Sequence, residues 1–270
     1  MISNEPSRKV IDTYTTDFHS ILSAFLNSTD QKIKTATVIE TEILPDIQNR
    51  EYFSDIGCGD GSITNRLRKH FFASLALDNN QSNLEQLVVT APSELPPCRI
   101  ENEDMNTYSP DRNSDLILFS YSIGYIGAGL SKYARDGARI NKLKEYYDSL
   151  NPGGALALVG SCYDGSYKAV FDELGVPVHD ELQDLNRHIE ACYECTKIKF
   201  PVEVHTNGKE EMALCLRLII YDDGTKYLDR VPRIEEYVQT FRQADGSYLL
   251  AYESEVIVIK KDKCSLSPVS

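Results

Sequence analysis

The sequence is poor in positive charge. Its 28 lysines and arginines face 41 aspartates and glutamates, which gives a formal net charge of −13 at pH 7. Binding nucleic acid requires a basic surface that neutralises phosphates, so this composition argues against an RNA or DNA substrate. The sequence also has no apolar run long enough to span a membrane, no internal repeat and no low-complexity tract. We therefore expect a globular protein whose partners are neither nucleic acids nor membranes.

Cysteine and histidine lack the arrangement that binds metals. The seven cysteines are an odd number and no secretory segment precedes them, so we expect reduced thiols in a cytoplasmic protein. Cys192 and Cys195 form a lone C-x-x-C pair, without a second pair or histidines at ligand spacing. No metal site is predicted.

The most informative segment is Phe53–Gly61, where an apolar stretch leads into Asp55 and a glycine-rich loop. The glycines stand at alternate positions, Gly57, Gly59 and Gly61. Glycine permits a sharp turn and lets the backbone approach a ligand closely. Because a helical pattern follows the loop directly, the segment is typical of a nucleotide site at the end of a parallel strand.

Two kinds of cofactor compete for this loop. The dinucleotide fingerprint G-x-G-x-x-G would place a glycine where Ser62 stands, and the carboxylate of Asp60 would repel its pyrophosphate. S-adenosylmethionine (SAM) has a positive sulfonium and no phosphate, so an acidic loop tolerates it. We therefore predict SAM, with the glycines under its methionine portion and with Asp55 or Asp60 holding its amino group.

Acidic residues follow the next two strands. Asp78 ends a short apolar strand about twenty residues past the loop, where a carboxylate can accept both ribose hydroxyls. The alternative is an aspartate that caps the next helix. After a third strand near 97–101, Asp104 could hold the adenine amino group while Met105 covers the ring. The alternative there is an ordinary loop acid.

These motifs, in this order, resemble the class I SAM-dependent methyltransferases. Asp55–Gly61 matches the family's first motif, Asp115–Tyr121 falls where a later strand should, and Leu150–Gly154 matches the entry to the fifth strand. The resemblance implies an α/β, Rossmann-like fold with a seven-stranded sheet, mostly parallel with an antiparallel last strand. With the residues discussed above, it gives these predicted cofactor-binding positions: Tyr14, Phe18, Asp55, Gly57, Cys58, Gly59, Asp60, Asp78, Asn79, Asp104, Met105 and Ser120.

The chain outside these motifs is predicted to form a lid and a set of additions. Residues 1–48 are expected to be an N-terminal helical lid of two helices, because apolar residues recur at helical spacing on both sides of 27–30. Residues 49–270 would be the SAM-binding core, with substrate-site additions after residue 160. The predicted additions are helices at 166–174, 180–194 and 231–242, and an antiparallel pair of strands at 212–221 and 248–260.

The N-terminal segment is also similar to the histamine N-methyltransferase group, through Tyr14, Phe18 and Phe25–Gln31. In that group an acid contacts the cationic amine of the substrate, which implies this role for Asp30; a helix N-cap is the alternative. Two polar residues of that group are not kept here: Tyr121 or Ser122 stands near the position of a Gln that contacts the substrate, and Tyr252 replaces an Asn. The predicted substrate contacts are Asp30, Tyr121, Ser122, Tyr125 and Tyr252, and Tyr121 and Tyr125 are the predicted catalytic residues.

The predicted function is methyl transfer from SAM to a small molecule, at a nitrogen of an amine or an imidazole. Such an in-line displacement needs mainly proximity and alignment from the protein. An O-methyltransferase of a natural-product pathway would share every cofactor motif. A SAM-binding module without catalysis and a methyltransferase of basic proteins or peptides are the further alternatives.

Overall fold

The computed structural model of the chain describes residues 21, 22, 24–176, 183–220 and 231–262. Seven strands lie in these residues: β1 (Tyr52–Ile56), β2 (Ala73–Asp78), β3 (Cys98–Asn102), β4 (Ser114–Ser120), β5 (Leu150–Ser161), β6 (Cys195–Thr206) and β7 (Tyr248–Lys260). They form one sheet in the order β3-β2-β1-β4-β5-β7-β6. Neighbours from β3 to β5 run parallel, and β7 runs antiparallel to β5. The predicted sheet is confirmed.

Helices separate most of the strands. From Gln31 onward, the helices in the described residues are α1 (Gln31–Val38), α2 (Ser62–Leu67), α3 (Gln81–Thr90), α4 (Lys132–Asp148), α5 (Gly165–Leu174), α6 (Gln183–Cys192), α7 (Lys209–Ile219) and α8 (Val231–Tyr237). The helices predicted at 166–174, 180–194 and 231–242 correspond to α5, α6 and α8, the last continued by a 3₁₀ turn over Val238–Phe241. No helix in the described ranges is both long and apolar enough to cross a membrane.

The described part of the N-terminal segment is helical on both sides of a short break. Residues 24–28 are helical, and α1 follows after a short break. The chain then passes through a π-helical turn at Ile39–Ile43 and a 3₁₀ turn at Leu44–Asp46 before it enters β1. The predicted cofactor contacts Tyr14 and Phe18 lie outside the described residues. Whether this segment acts as a lid therefore stays a prediction.

One predicted strand is wrong. Residues 212–221 do not form a strand, because α7 occupies Lys209–Ile219. The buried side chains Met212, Cys215, Leu216 and Ile219 follow the spacing of one helix face, and two glutamates occupy the first turn. The strand that the sequence reading missed is β6, whose buried residues alternate from Phe200 to Thr206.

The described residues divide into two compact units. The sheet unit consists of the described parts of Lys32–Ser161, Asp180–Phe200 and Ser254–Ser270. The smaller unit consists of the described parts of Met1–Gln31, Cys162–His179 and Pro201–Glu253.

The centre of the sheet unit is a buried apolar core. β1 is buried at every residue, and β4 at every residue except the last. Ile56 and Phe119 lie in the same cluster as Tyr146 of α4, whose ring meets Phe119 edge-on at 5.0 Å. Strands buried on both faces are typical of a parallel sheet covered by helices. Ligands of such sheets bind beyond the carboxyl ends of the strands, so the turns after β1 to β4 are the candidate site.

Candidate cofactor site

The loop after β1 keeps its three glycines in the left-handed backbone region. The φ angles are 72° at Gly57, 55° at Gly59 and 73° at Gly61. The amides of Gly57 and Cys58 both donate to the carbonyl of Leu77, at 2.8 and 3.0 Å, which ties the loop to the end of β2. Residues with a Cβ rarely adopt this conformation, so the loop requires glycine.

The space around each glycine differs. A Cβ at Gly57 would lie 2.4 Å from Ser122 Cβ and 2.9 Å from Met105 Cε. A Cβ at Gly61 would lie 2.2 Å from Leu87 Cγ. At Gly59, no described atom outside the glycine and its two chain neighbours comes within 4 Å of such a Cβ. Among these three glycines, the loop is therefore packed at both ends and open in the middle.

Asp55 is a buried carboxyl group beneath this loop. It is fully inaccessible to solvent, and its Oδ2 accepts a hydrogen bond from Thr64 Oγ1 at 2.6 Å. Its Oδ1 is buried and has no hydrogen-bond partner among the described residues. Burial raises the pKa of Asp55 to about 7, with the charges of Asp78 and Asp60 adding to the rise and Thr64 opposing it. A buried acceptor without a donor is costly, which makes Oδ1 a ready partner for a cation.

The thiol of Cys58 lies in the same acidic surroundings. Burial, followed by the charges of Asp55 and Asp78, raises the pKa of Cys58 well above its ordinary range. The group is therefore a neutral thiol that lines the loop.

Asp78, at the end of β2, holds the glycine loop in place. Its Oδ2 accepts the amide of Gly59 at 2.8 Å, and its Oδ1 accepts the amide of Asn80 at 2.8 Å. The side-chain cap of α3 comes from Asn80, whose Oδ1 accepts the amide of Ser82 at 3.0 Å. Each carboxylate oxygen of Asp78 retains capacity for a further donor.

Asp60 is neutralised by a lysine. Lys32, in the first turn of α1, places Nζ 2.6 Å from Asp60 Oδ2. The amide and hydroxyl of Ser62 both donate to Asp60 Oδ1, at 3.0 and 2.7 Å. Although burial raises it, these bonds hold the pKa of Asp60 below its usual value. The loop therefore carries less net negative charge than its sequence suggests.

The turn after β3 is held by its own side chains. Asp104 is exposed, and its Oδ1 accepts the amide and the side-chain amide of Asn106 at 2.8 and 2.7 Å. Asn106 Oδ1 in turn accepts the amide of Gly127 at 2.8 Å. This bond joins the turn after β3 to the segment that follows β4.

The turn after β4 has an unusual backbone. Tyr121 directly follows Ser120, the last residue of the strand, and has a φ of 56°. Among the described residues, Tyr121 is the non-glycine residue with a positive φ. Its hydroxyl is 2.8 Å from the Oγ of Ser254, which is fully buried on β7. Ser122 Oγ donates to the carbonyl of Ile56 at 2.5 Å. A bulky residue in this region costs free energy, and such residues concentrate at functional sites.

Comparison with known proteins places this arrangement in a known fold. Over 80 residues the chain is 29% identical to trans-aconitate 2-methyltransferase of Escherichia coli, a match that covers 30% of this chain and 31% of the relative. The chain thus spans about a third of the length of the curated relatives it matches. No family model matches the sequence.

Two solved structures extend the similarity to most of the chain. The YcgJ protein of Bacillus subtilis superposes with a TM-score of 0.54 at 15% identity, covering 84% of this chain and 99% of that one. A SAM-dependent methyltransferase of Clostridium acetobutylicum gives a TM-score of 0.50 at 14% identity, covering 92% and 99%. This is the class I methyltransferase fold. The family resemblance that the motifs indicate is therefore confirmed at the level of the fold, while the narrower resemblance to histamine N-methyltransferases stays a prediction.

Within this methyltransferase fold, most predicted site residues meet at one edge of the sheet unit. They are Asp55, Gly57, Cys58, Gly59, Asp60, Asp78, Asn79, Asp104, Met105, Ser120, Tyr121, Ser122 and Tyr125. Several are already engaged: Ser122 bonds a backbone carbonyl and Asp60 bonds Lys32. Tyr125 is 64% exposed and ends a 3₁₀ turn that begins at Ile123.

Asp30 and Tyr252 belong to the smaller unit. Asp30 Oδ1 accepts the amide of Glu203 at 2.8 Å, and the Asp30 amide donates back to the Glu203 carbonyl at 3.1 Å. Tyr252 is buried, its hydroxyl accepts Gln31 Nε2 at 3.1 Å, and its ring packs on Tyr167. Both side chains thus have structural partners inside this unit.

The sequence reading missed Lys32 and Thr64. Thr64 lies in the helix that directly follows the glycine loop, so the strand-loop-helix geometry itself could have placed its hydroxyl above Asp55. Lys32 lies 28 residues before Asp60, and no local pattern links the two. No group of metal-binding side chains was found in the described ranges.

Proposed function

We propose that this protein is a SAM-dependent methyltransferase that acts on a nitrogen of a small molecule. The observation that carries the proposal is the pairing of an open glycine loop with a buried acceptor. Gly59 faces empty space among the described residues, and Asp55 Oδ1 is buried without a partner. The methionine portion of SAM offers an ammonium group that would satisfy such an oxygen.

The remaining residues fit the rest of the cofactor. Asp78 keeps acceptor capacity for two ribose hydroxyls while it holds the glycine loop through Gly59. Met105, which packs against Gly57, provides an apolar surface for the adenine ring, and Asp104 beside it is exposed for the adenine amino group. The predicted contacts Cys58, Asn79 and Ser120 line the same turns, and Tyr14 and Phe18 are proposed to close over the ligand.

When bound, SAM supplies a methyl group that is already activated by the sulfonium. The protein then has to align an acceptor lone pair with that methyl carbon and to exclude water. Tyr121 is suited to shaping this position, because its hydroxyl is bonded to Ser254 and its backbone is fixed. Tyr125 offers an exposed hydroxyl that would accept a hydrogen bond from an ammonium acceptor, while the ammonium loses its proton to water.

The charge of the site supports a cationic or neutral acceptor. Asp55, Asp78 and Asp104 lie at the ends of neighbouring strands, and the net charge of the chain attracts cations. The similarity to trans-aconitate 2-methyltransferase favours a second candidate acceptor, a small organic acid. We further propose that the enzyme has no nucleic-acid substrate, because the sequence is acidic. We propose that it is cytoplasmic, because seven cysteines, an odd number, fit reduced thiols.

Labelled SAM and an acceptor panel test the proposal. The purified chain is incubated with methyl-labelled SAM and with amines, imidazoles, phenols, carboxylates and basic peptides, and products are identified by mass spectrometry. We expect label on a nitrogen of a small amine or imidazole. Label on a carboxylate or phenol would assign oxygen as the acceptor. Tight SAM binding without any product would indicate a non-catalytic module, and no SAM binding would refute the proposal.

A further inference from the structure

Lys32 is a cation held against the glycine loop by a fixed framework. Its ammonium is 2.6 Å from Asp60 Oδ2, and the two side chains are 28% and 34% exposed. Further along α1, Arg66 donates to the carbonyl of Ile33 at 3.0 Å and to Thr37 Oγ1 at 2.8 Å. Arg66 also bonds Glu40, at 2.5 Å. Helix α1 is thereby bound to α2, so the position of Lys32 relative to the loop is set by several bonds.

The ammonium group of Lys32 has more hydrogen-bond donors than its bond to Asp60 uses. Asp60 Oδ1 already accepts two bonds from Ser62, and Lys32 reaches Oδ2. A lysine ammonium has three donors, which leaves capacity for a second anion. Partly exposed pairs of this kind contribute little to stability, so stability alone gives a weak reason for placing a lysine here.

The residue that Lys32 pairs with is next in the chain to the open position of the loop. Gly59, whose Cβ position is empty, directly precedes Asp60. A methionine portion lying there brings both an ammonium and a carboxylate. Asp55 Oδ1 matches the ammonium, and in the described part of the chain Lys32 is the cation bonded to the loop. The two charges of the ligand thus have two complementary groups.

We propose that Lys32 recognises the α-carboxylate of the cofactor and that Asp60 is the residue that positions Lys32. This inference rests on the proposed function, since it assigns part of the same cofactor site. It gives Asp60 a different role from the predicted contact with the amino group. Asp60 instead acts through Lys32, while Asp55 serves the amino group.

The test compares two ligands that differ only in the carboxylate. Dissociation constants are measured by calorimetry for S-adenosylhomocysteine and for its decarboxylated analogue. The variants are Lys32→Met and, as a matched control, Lys69→Met, which removes a lysine that pairs with Glu40 at 3.1 Å. We expect Lys32→Met to weaken S-adenosylhomocysteine roughly 10- to 100-fold, the worth of a charge-assisted bond. The analogue should stay within about twofold, and Lys69→Met should change neither ligand.

A role for Lys32 in loop structure alone gives a different result. In that case Lys32→Met would weaken both ligands equally, and this outcome would overturn the inference. Unchanged affinity for both ligands would also overturn it. Lys32→Arg keeps the positive charge, so it should bind S-adenosylhomocysteine with most of the wild-type affinity that Lys32→Met loses. If the wild-type chain binds neither ligand, the proposed function fails together with the inference; if it binds both and Lys32→Met shows no preference, only the inference fails.

Discussion

Two neighbouring turns both have a left-handed backbone conformation but use different residues to adopt it. β1 and β4 are parallel neighbours, and the chain turns through the left-handed region after each. After β1 the left-handed positions are glycines, whereas after β4 the position is Tyr121. Glycine enters this region without strain, while a residue with a Cβ costs about 1–2 kcal/mol.

The difference indicates what each turn provides. The glycine loop leaves open space at Gly59 and offers bare backbone to a ligand. The turn after β4 keeps a strained tyrosine whose hydroxyl bonds a buried serine on β7. We infer that the first turn is built for access by the cofactor and the second for presenting a side chain. Substitutions at these turns can sharpen or break that contrast.

The largest effect is expected at Gly61. In Gly61→Ala the new methyl group would lie 2.2 Å from Leu87 Cγ and 2.4 Å from Leu87 Cδ1, at a φ of +73°. Strain and overpacking together should lower the free energy of unfolding by about 3 kcal/mol, measured by urea denaturation.

Gly59→Ala is the matched control for this effect. Beyond the two neighbouring residues, its methyl group meets no described atom within 4 Å. The variant should therefore lose only about 1 kcal/mol of stability, the cost of a positive φ in a residue with a Cβ. Its affinity for S-adenosylhomocysteine should nevertheless fall about tenfold, because the methyl group fills the space assigned to the ligand. Wild-type affinity in Gly59→Ala would show that the open space is not the binding surface.

The next effect is the pH dependence caused by Asp55. Its pKa is raised to about 7 in the folded chain, against about 4 in an unfolded one, so the folded chain binds the extra proton between these values. The free energy of unfolding should therefore fall as the pH rises through this window, by roughly 2.5 kcal/mol between pH 5 and pH 8.

Asp55→Asn tests this dependence. Urea denaturation between about pH 5 and pH 8 should show a loss of stability in the wild type that is absent from the variant. A saturating ligand with an ammonium group should reduce the loss, because it stabilises the carboxylate. Parallel stability curves for the wild type and Asp55→Asn would contradict a raised pKa at Asp55.

A smaller effect is expected from Asp78→Ala. This change removes the acceptor of the Gly59 and Asn80 amides and of the proposed ribose hydroxyls. Calorimetry should show affinity for S-adenosylhomocysteine reduced roughly 30-fold. Glu85→Ala, on the exposed face of α3, is the control and should bind normally. Unchanged affinity in Asp78→Ala would remove the ribose assignment.

The two turns were not equally predictable. The loop after β1 could be predicted because strand, glycines and helix are contiguous in the sequence. Each glycine also indicates a position where the backbone adopts a positive φ or approaches a ligand closely. The left-handed Tyr121 could not be predicted, because tyrosine has no preference for that region and the conformation depends on packing around β4 and β7. The same reason explains Lys32 and Asp60, whose contact depends on how α1 lies against α2.

The C-terminal additions show where local patterns mislead. The apolar run around Met212–Ile219 fits both a buried strand and a buried helix, and α7 follows the helical alternative. The alternating burial of β6 from Phe200 to Thr206 is a strand signal, but the polar residues between its buried positions made it inconspicuous. The fold of the cofactor half therefore followed from the sequence, and that of the remainder only in part.

The smallest effect is expected at Tyr121, and it tests the contrast most directly. Tyr121→Phe keeps the strained backbone and removes only the hydroxyl bonded to Ser254 Oγ, so it should cost about 1 kcal/mol of stability. Affinity for S-adenosylhomocysteine should stay within about twofold, while the KM of the acceptor found in the panel should rise several-fold. Tyr121→Asn, which tolerates a positive φ, is the control that keeps the turn and loses the ring. If Tyr121→Phe weakens the cofactor analogue and leaves the acceptor KM unchanged, the turn after β4 serves the cofactor as well. The two turns would then not divide the work between cofactor binding after β1 and presentation of a side chain to the acceptor after β4.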